Sequence, residues 1–412
     1  MSLLIKNIKS LIQITGSAKK CGKEMKKLDV LENAFLFLKD EKIEAFGKME
    51  NIPHFKADNE IDAIGRFVFP SYIDTHTHIV FPQSREKEFE LKIKGATYEE
   101  IAAAGGGILN SAKMLKQATE EELVASAMKR INEVVKLGTG AIEIKSGYGL
   151  SMEGELKMLR VIKKIKKISP IPVKATFLGA HAVPPEYKND RSKYIDIIVN
   201  EMLTVIEKEK LAEYIDIFIE KGFYSLEDGK RVIEAGKKHG LKPKIHVDQM
   251  NELGGVQLGV KNNAVSVDHL ENIGEEGITA LKNSKTIATL LPSCSFYLNM
   301  KFPPARKLID EGLAVSIASD YNPGSSPSGN LNFSMSLACI KMKMMPEEVI
   351  NAVTINAAHA LELENEMGSI AKGKLANLFI TKPISSIACI PYSFGNNFVD
   401  TVILKGKVYK EI

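Results

Sequence analysis

Val68-Phe-Pro-Ser-Tyr-Ile-Asp74 is an apolar, β-rich run, and Thr75-His76-Thr77-His78 follows it directly. Side chains two residues apart on an extended chain point to the same face, so both imidazoles are expected to leave the strand end in one direction. An H-x-H pair alone is a weak signal, because two exposed loop histidines have the same spacing. Its position directly after an apolar strand indicates a functional strand end.

Seven further apolar runs follow, and helical patterns separate them. The runs cover residues 141–145, 173–179, 215–219, 243–247, 264–267, 286–291 and 314–319, and residues 153–168 and 231–239 show helical periodicity. Strands that are apolar throughout and alternate with helices predict a buried parallel sheet. Eight such strands over about 250 residues favour a (β/α)8 TIM barrel of the α/β class. An open doubly wound sheet would carry a G-x-G-x-x-G phosphate fingerprint, which we do not find.

The two ends of the chain have a different pattern. Residues 1–65 and 365–412 contain short alternating runs with turn residues, such as Phe35-Leu-Phe-Leu and Val402-Ile-Leu-Lys-Gly-Lys-Val. These runs predict a small β-sandwich domain built from both termini. Residues 66–364 are then expected to form the barrel.

The composition excludes several classes of protein. The 412 residues carry a net charge of +4, from 55 basic and 51 acidic residues that are interspersed, so no nucleic-acid surface is expected. No run reaches the ~18–20 apolar residues of a membrane span, and the first residues do not form a secretory signal. The four cysteines are scattered, which indicates a reducing compartment: Cys21, Cys294, Cys339 and Cys389. We therefore expect a cytoplasmic protein without nucleic-acid or membrane partners.

More histidines and one aspartate end other predicted strands. His181 follows the third strand, His246 ends the fifth, His269 ends the sixth and Asp320 ends the eighth. With the first histidine pair they would converge at the carboxyl end of the barrel, where barrel active sites are built. Nitrogen and oxygen ligands without thiolate indicate zinc or non-haem iron with positions open to water. The remaining histidines lie in polar or helical contexts, and we expect no function for them: His54, His239 and His359.

Polar residues near these strand ends are candidates for substrate contacts. Arg85 follows the histidine pair, and its guanidinium could bind a carboxylate through two parallel hydrogen bonds, or could form a surface ion pair with a neighbouring glutamate. Tyr148 lies between two glycines after the second strand. The turn after the eighth strand offers Asn322, Gly324 and Ser325. The loop of Gly105-Gly-Gly107 is either a mobile lid or a helix start.

Together these stretches resemble the amidohydrolase superfamily and, within it, the imidazolonepropionases. The resembling stretches are Asp74-Thr-His-Thr-His-Ile-Val-Phe, Gly105-Gly-Gly-Ile, Ser146-Gly-Tyr-Gly, Thr176-Phe-Leu-Gly-Ala-His-Ala-Val-Pro, Gly222-Phe-Tyr-Ser, Asp268-His-Leu-Glu and Asp320-Tyr-Asn-Pro-Gly-Ser. The resemblance implies a TIM barrel with a small β-sandwich. It also implies hydrolysis of the cyclic amide of 4-imidazolone-5-propanoate to N-formimidoyl-L-glutamate, with one zinc or iron ion per chain.

The resemblance also implies roles for single residues. The implied metal ligands are His76, His78, His246 and Asp320. The implied contacts with substrate or product are Arg85, Tyr148, His181, position 249, Asn322, Gly324 and Ser325. His269 corresponds to the superfamily's catalytic histidine. We expect Asp320 to accept a proton from the attacking water and His269 to stabilise the oxyanion.

Two positions bear on the mechanism that the resemblance implies. Some relatives have Glu at position 249, but Gln249 of this chain cannot shuttle protons and would only orient the substrate. Glu220 or Lys221 could bridge to a second metal, although the resemblance favours one metal.

The alternative activities are a cytosine- or guanine-type deaminase, which would release ammonia, and a non-catalytic barrel scaffold. A homodimer is the default expectation for such a protein.

Overall fold

The computed structural model describes residues 1–95, 100 and 106–410. Strands in this part of the chain form two separate sheets. In chain order the strands are β1 Ser2–Ile12, β2 Val30–Lys39, β3 Lys42–Lys48, β4 Asn59–Asp62, β5 Phe67–Pro70, β6 Tyr72–Asp74, β7 Thr139–Lys145, β8 Val173–Ala180, β9 Tyr214–Ile219, β10 Lys242–Val247, β11 Ser266–His269, β12 Ile287–Leu290, β13 Val315–Ile317, β14 Leu378–Thr381, β15 Val399–Leu404 and β16 Lys407–Val408.

Strands β6 to β13 form the predicted barrel. They lie side by side in chain order, and every pair of neighbours is parallel. The sheet closes just beyond its first and last strands, where the His78 amide donates to the Tyr321 carbonyl at 2.9 Å and the Asp320 amide donates to the His76 carbonyl at 3.0 Å. The (β/α)8 barrel is confirmed, and its closure brings the first and last strand ends together.

Helices alternate with the barrel strands and cover the outside of the barrel. Thr119 and Ser225 form capping boxes that start two of them, which satisfies the first free backbone amides. The α-helices are Glu86–Ile93, Gly107–Gln117, Glu120–Lys136, Met152–Ile168, Arg191–Ile197, Leu203–Glu209, Leu226–Lys238, Gly255–Lys261, Glu275–Lys282, Pro292–Tyr297, Ala305–Asp310, Leu331–Met342, Pro346–Val353, Ile355–Ala360 and Cys389–Tyr392. The helices expected at residues 153–168 and 231–239 are among them. Of the described helices, none has the length and apolar character that crossing a bilayer requires.

The second sheet contains strands from both termini. Its order is β16-β15-β14-β5-β1-β2-β3, and β4 pairs with the first half of β1. The Ile43 amide in β3 donates to Lys374 O at 2.9 Å, and the Gly373 amide donates to Ile43 O at 2.8 Å, so β3 reaches the segment that precedes β14. The sheet therefore curls back on itself. The curl encloses a cluster of buried apolar residues that come from residues 3–68 and 370–403. The division of the chain into two domains stays a prediction.

The apolar run at residues 68–74 is two strands rather than the single strand expected. β5 pairs with β1 and β14 of the terminal sheet, whereas β6 pairs with β7 of the barrel. The change of sheet occurs at Ser71, whose amide donates to Asn377 O at 3.0 Å, while the next amide, of Tyr72, donates to Gly138 O at 2.9 Å. Both halves are buried, so the apolar pattern alone does not show which neighbours each half pairs with.

Candidate metal and active site

The residues predicted at the strand ends converge on one cavity at the carboxyl end of the barrel. The cavity has a volume of about 50 Å³. Its lining residues are His78, Tyr148, His181, Phe218, His246, Gln249, His269, Asp320, Asn322 and Ser325. His76 is fully buried beside them, with its ring centroid 4.4 Å from that of His246. Of the predicted site residues, Arg85 and Gly324 lie outside this set, next to each other and close to Tyr148 of the cavity wall.

The backbone turns sharply where three of the strands end. Asp248, His269 and Asp320 have φ angles of 51°, 86° and 55°, in the left-handed region that side chains other than glycine rarely adopt. Such backbone strain persists only where the surrounding structure imposes it, and it concentrates at functional sites. The sharp turns let these residues follow parallel strands while their side chains stay buried at the mouth.

Three imidazoles use their Nδ1 atoms for hydrogen bonds to oxygen. His76 Nδ1 lies 2.7 Å from Asp268 Oδ2, and His246 Nδ1 lies 2.9 Å from Asp216 Oδ2. His78 Nδ1 lies 3.2 Å from the Ser146 carbonyl oxygen. Since each oxygen accepts a proton from Nδ1, the lone pair of each ring is at Nε2. A histidine held by an outer carboxylate or carbonyl in this way is the usual metal-ligand arrangement.

The free Nε2 atoms and one carboxylate fit a metal ion. His76 Nε2 is buried without a hydrogen-bond partner, 3.6 Å from Asp320 Oδ1, and His78 Nε2 lies 3.8 Å from the same oxygen. Ligand atoms within 4.8 Å of one another occur in two overlapping groups, His76 with His78 and Asp320, and His76 with His246 and His269. Burial lowers the pKa of His76, His78 and His246 well below the ordinary value, so these rings are neutral, as metal ligands must be. The donor set suits zinc or iron.

Asp320 and His269 differ from these histidines in their electrostatics. Burial raises the pKa of the Asp320 carboxyl to about 6, although His269 and hydrogen bonds from Cys294 and other groups oppose that rise. Burial lowers the pKa of His269, but the carboxylates of Glu271, 3.6 Å from His269 Nδ1, and of Asp320 and Asp268 together raise it above the ordinary value. A carboxyl group whose pKa is raised towards neutral pH and an imidazole whose pKa is also raised thus face one cavity. Acid–base chemistry requires groups of this kind.

Arg85 lies beside the cavity, where it contacts the wall residue Tyr148 and lines a second, wider pocket. Its Nε and Nη2 atoms donate to Ser111 Oγ at 2.9 and 2.7 Å, and its guanidinium carbon lies 5.6 Å from the Tyr148 ring centroid. A Cβ atom at Gly324 would lie only 2.4 Å from Arg85 Nη1. The structure thus orients the guanidinium beside the cavity and does not leave it free on the surface. Its Glu88 contact is long, at 3.9 Å.

Aromatic rings form one wall of the cavity. The His181 ring stacks on that of His78 with centroids 5.3 Å apart, and its Nδ1 lies 2.9 Å from the Gly147 carbonyl oxygen. Burial lowers the pKa of His181 to about 4, so the ring is neutral. Tyr148 packs edge-on against His181 at 5.5 Å. Its loop is held by the buried carboxylate of Glu155, which accepts three backbone hydrogen bonds, including that of Gly147 at 2.8 Å.

The loop after β13 holds itself together through Asn322. The Asn322 Oδ1 atom accepts from the amides of Gly324 and Ser325, each at 2.8 Å, and its Nδ2 atom donates to Asp320 O and Ser325 Oγ. These four hydrogen bonds use the full capacity of the amide group. Asn322 therefore shapes the loop, whereas Ser325 also donates to Asp320 Oδ2 at 3.2 Å.

Gln249 and Glu220 lie near each other in the fold but face different surroundings. Gln249 Nε2 lies 3.5 Å from Cys294 Sγ at the cavity wall. The buried Glu220 carboxylate accepts hydrogen bonds from the amides of Met250, Asn251 and Lys221 and from the Asn251 side chain. Within the described residues, neither potential metal group includes Glu220. Its function is to hold the loop that follows β10.

Sequence reasoning missed a cluster of buried charges inside the barrel. These residues are Glu143 and Lys145 on β7, Asp216 on β9, Lys244 on β10 and Asp268 on β11, all at most 1% exposed. The available signal was a charged residue at every second position of an otherwise apolar strand, as in Glu143-Ile-Lys145 and Lys244-Ile-His246.

Gly105 of the predicted lid lies outside the described residues. His54, His239 and His359 lie away from the cavity, as expected.

Comparison with known proteins gives a consistent family. Residues 67–409 match the model of the amidohydrolase family. The imidazolonepropionase of Christiangramia forsetii is 54% identical over 99% of this chain and 100% of its own. That of Flavobacterium johnsoniae is 55% identical over the same shares, and that of Thermoanaerobacter pseudethanolicus is 42% identical over 97% and 96%.

Solved structures share the fold at low sequence identity. The guanine deaminase of E. coli superposes with a TM-score of 0.72 at 15% identity, over 100% of this chain and 99% of its own. A triazine hydrolase variant superposes with a TM-score of 0.75, also at 15% identity, over 99% and 94%. At such identities the likeness concerns the fold alone, so the family assignment rests on the closer relatives and on residues 67–409. The chain belongs to the amidohydrolase family and, within it, to the imidazolonepropionases.

Proposed function

We propose that this chain hydrolyses the cyclic amide of 4-imidazolone-5-propanoate to N-formimidoyl-L-glutamate, a step of L-histidine degradation. The observation that supports this most is a cavity that combines a cluster of potential histidine metal ligands with an arginine beside its wall. The histidine cluster suits hydrolysis of an amide, and the arginine suits a substrate with a carboxylate tail. Close relatives over the whole chain carry the same enzyme name.

One zinc or iron ion per chain would be held by His76, His78, His246 and Asp320. Such an ion supplies Lewis-acid chemistry, which makes water nucleophilic near neutral pH. The unpartnered Nε2 of His76 supports this set, since a buried ring nitrogen without a partner is costly unless a ligand takes it. His269 also lies near His76, but its Nδ1 makes no hydrogen bond and lies 3.6 Å from the Glu271 carboxylate, and we assign this ring to the substrate rather than to the metal.

Asp320 and His269 would perform the proton chemistry. Asp320 accepts a proton from the water that attacks the ring carbonyl carbon, and the new C–O bond makes a tetrahedral oxyanion. His269 donates a hydrogen bond to that oxyanion, with Glu271 behind it favouring the protonated ring. Asp320 then returns the proton to the ring nitrogen as the C–N bond breaks. A carboxylate next to the position of the attacking water is placed for both the acceptance and the return.

The substrate carboxylate would lie against Arg85. Ser111 occupies Nε and one side of Nη2, which leaves Nη1 and the remaining Nη2 hydrogen for a carboxylate. Tyr148 and His181 would contact the ring, and Gln249 would orient it by hydrogen bonds without exchanging a proton. Ser325 and the backbone of Gly324 would contact the product, with Asn322 holding their loop. We further propose a cytoplasmic homodimer.

The test is an assay of the purified chain with 4-imidazolone-5-propanoate, together with metal analysis. We expect stoichiometric N-formimidoyl-L-glutamate, no ammonia and about one zinc or iron ion per chain. Guanine and cytosine serve as control substrates. Ammonia from either would favour a deaminase instead, and a metal-loaded chain inert towards all three would favour a scaffold. About two metal ions per chain would contradict the single-metal site.

A further inference from the structure

Five charged side chains inside the barrel contact one another behind the histidines. Three are carboxylates and two are ammonium groups: Glu143, Asp216, Asp268, Lys145 and Lys244. Charges buried to this degree are strongly destabilising unless each has a partner of opposite sign. The pairings within this cluster, together with hydrogen bonds from the Ile217 and His246 amides to Asp216 Oδ1 and from the Ser266 hydroxyl to Asp268 Oδ1, orient its members.

Lys145 contacts the carboxylates that hold two of the histidines. Its Nζ atom lies 2.8 Å from Asp216 Oδ2 and 3.5 Å from Asp268 Oδ2, and it also lies 2.8 Å from Glu143 Oε1. Asp216 Oδ2 is the atom that accepts from His246 Nδ1, and Asp268 Oδ2 is the atom that accepts from His76 Nδ1. The Lys145 ammonium group thus contacts the same carboxylate oxygens that accept from the two histidine rings.

This arrangement orients both Nε2 atoms together. An ionised carboxylate at Nδ1 keeps the proton on that nitrogen, so Nε2 keeps its lone pair and faces the metal position. A carboxylate rotated away, or protonated, would lose this hold on the ring. Lys145 gives both carboxylates a shared cation in a region buried from solvent, which keeps each in the orientation that accepts from its histidine.

We propose that Lys145 is a positioning residue that sets metal affinity by orienting His76 and His246 through Asp268 and Asp216. The inference rests on the metal site of the proposed function. It predicts that loss of the Lys145 ammonium weakens metal binding by a mechanism separate from its contribution to folding.

Lys244 provides a matched control. It is a lysine of the same cluster with the same burial, and its Nζ atom contacts Glu143 Oε2 at 2.5 Å, Thr75 O at 3.1 Å and Ala360 O at 3.3 Å. Neither carboxylate that holds a histidine is among these partners. Lys145→Met and Lys244→Met remove equal charge and add similar apolar volume, but only the first removes a contact of Asp216 and Asp268.

The experiment measures zinc affinity by chelator competition, with urea unfolding of the metal-free proteins alongside. We expect Lys145→Met to bind zinc at least ~10-fold more weakly than wild type, the range found for outer partners of metal ligands. We expect Lys244→Met to stay within ~3-fold of wild type, although both variants lose stability without metal. Equal zinc affinities for the two variants would overturn the proposal.

A second pair of variants covers the case in which Lys145→Met does not fold. Ser266 Oγ donates to Asp268 Oδ1 at 2.5 Å, whereas Ser316 Oγ donates to Ala352 O at 3.1 Å outside the cluster. Ser266→Ala should weaken zinc binding several-fold and Ser316→Ala should not, and equal affinities would contradict the role of the Asp268 orientation. The measurement of zinc affinity does not depend on turnover. A chain that binds zinc but does not hydrolyse the imidazolone would therefore refute only the proposed function, and a wild type that binds no metal would refute both.

Discussion

The barrel mouth and the terminal sheet each enclose a lysine, and the two lysines have opposite pKa shifts. Lys145 is fully buried in the barrel, and burial lowers its pKa, but three carboxylates raise it by more. Lys374 is 4% exposed beside the terminal sheet, where its Nζ atom contacts Glu364 O at 2.6 Å and Ser369 Oγ at 2.6 Å. Burial lowers the pKa of Lys374 to about 8.

The difference shows that the charge of the acceptors, rather than burial, decides the state of a buried lysine. The hydrogen-bond acceptors of Lys374 are neutral carbonyl and hydroxyl oxygens, and the nearby Glu364 carboxylate offsets the effect of burial only in part. The barrel instead concentrates charges of both signs, which is costly for stability and useful for orienting ligands. Substitutions in the barrel mouth should therefore change metal binding and turnover, and substitutions near the terminal sheet should change only stability.

The largest effect is expected from loss of a histidine at the mouth. His76→Ala should lose most bound metal, and turnover should fall by ~10³-fold or more, because a metal supplies several kcal/mol of transition-state stabilisation. His359→Ala is the control, since His359 Nε2 lies 2.7 Å from the Ser17 carbonyl oxygen and this histidine lies away from the cavity. Metal analysis and kcat should be measured on both. Full metal content in His76→Ala would contradict the assigned site.

The next effect separates proton transfer from metal binding. Asp320→Asn and His269→Ala, compared at matched metal content, should each lose ~10²–10⁴-fold in turnover, the range for an acid–base group or an oxyanion donor. Gln249→Ala should mainly raise KM. If metal-replete Asp320→Asn turned over normally while Gln249→Ala were inactive, the proton-transfer role would belong to a different group.

A smaller effect is expected from substitution of Arg85. Arg85→Lys should lower kcat/KM by at least ~10-fold, since a charged hydrogen bond contributes about 1.5–3 kcal/mol. Ser111→Ala should have a weaker effect in the same direction, because it frees the guanidinium that Ser111 orients. The loss should shrink for an analogue without the carboxylate. An equal loss with both substrates would make Arg85 a structural residue.

The smallest effect concerns Lys374 and depends on pH. The folded-state pKa of about 8 lies below the unfolded value of ~10.4, so between them the unfolded chain binds more protons. Through this group, stability rises from pH 8 to pH 10 and is lost as pH falls through 8. The wild type should gain stability relative to Lys374→Met over that range, with kcat at pH 7.5 equal in both. Urea unfolding at several pH values measures the difference, and a constant difference would show that Lys374 does not titrate there.

Local sequence patterns were enough for the barrel and for most of the site. Eight apolar runs, alternating with helical patterns, indicated a parallel sheet buried on both faces, and their number and the missing phosphate fingerprint favoured a closed barrel over an open doubly wound sheet. The histidine pair, His246 and Asp320 were identifiable because strand ends of a barrel meet at one mouth. These features depend on a residue's own neighbours in the chain. The same patterns could not divide residues 67–74 between two sheets, since both halves are equally apolar.

Only the tertiary structure decided which charges pair. Lys145 meets Asp216 and Asp268, which lie 71 and 123 positions further along the chain, because β7, β9 and β11 face a common interior. The same holds for Glu220, which is next to a predicted strand end but bonds to the loop after β10. Hydrogen bonds act over about 3 Å, so the partner of a buried charge is set by the strand order and the closure of the barrel. Sequence spacing carries no record of that distance.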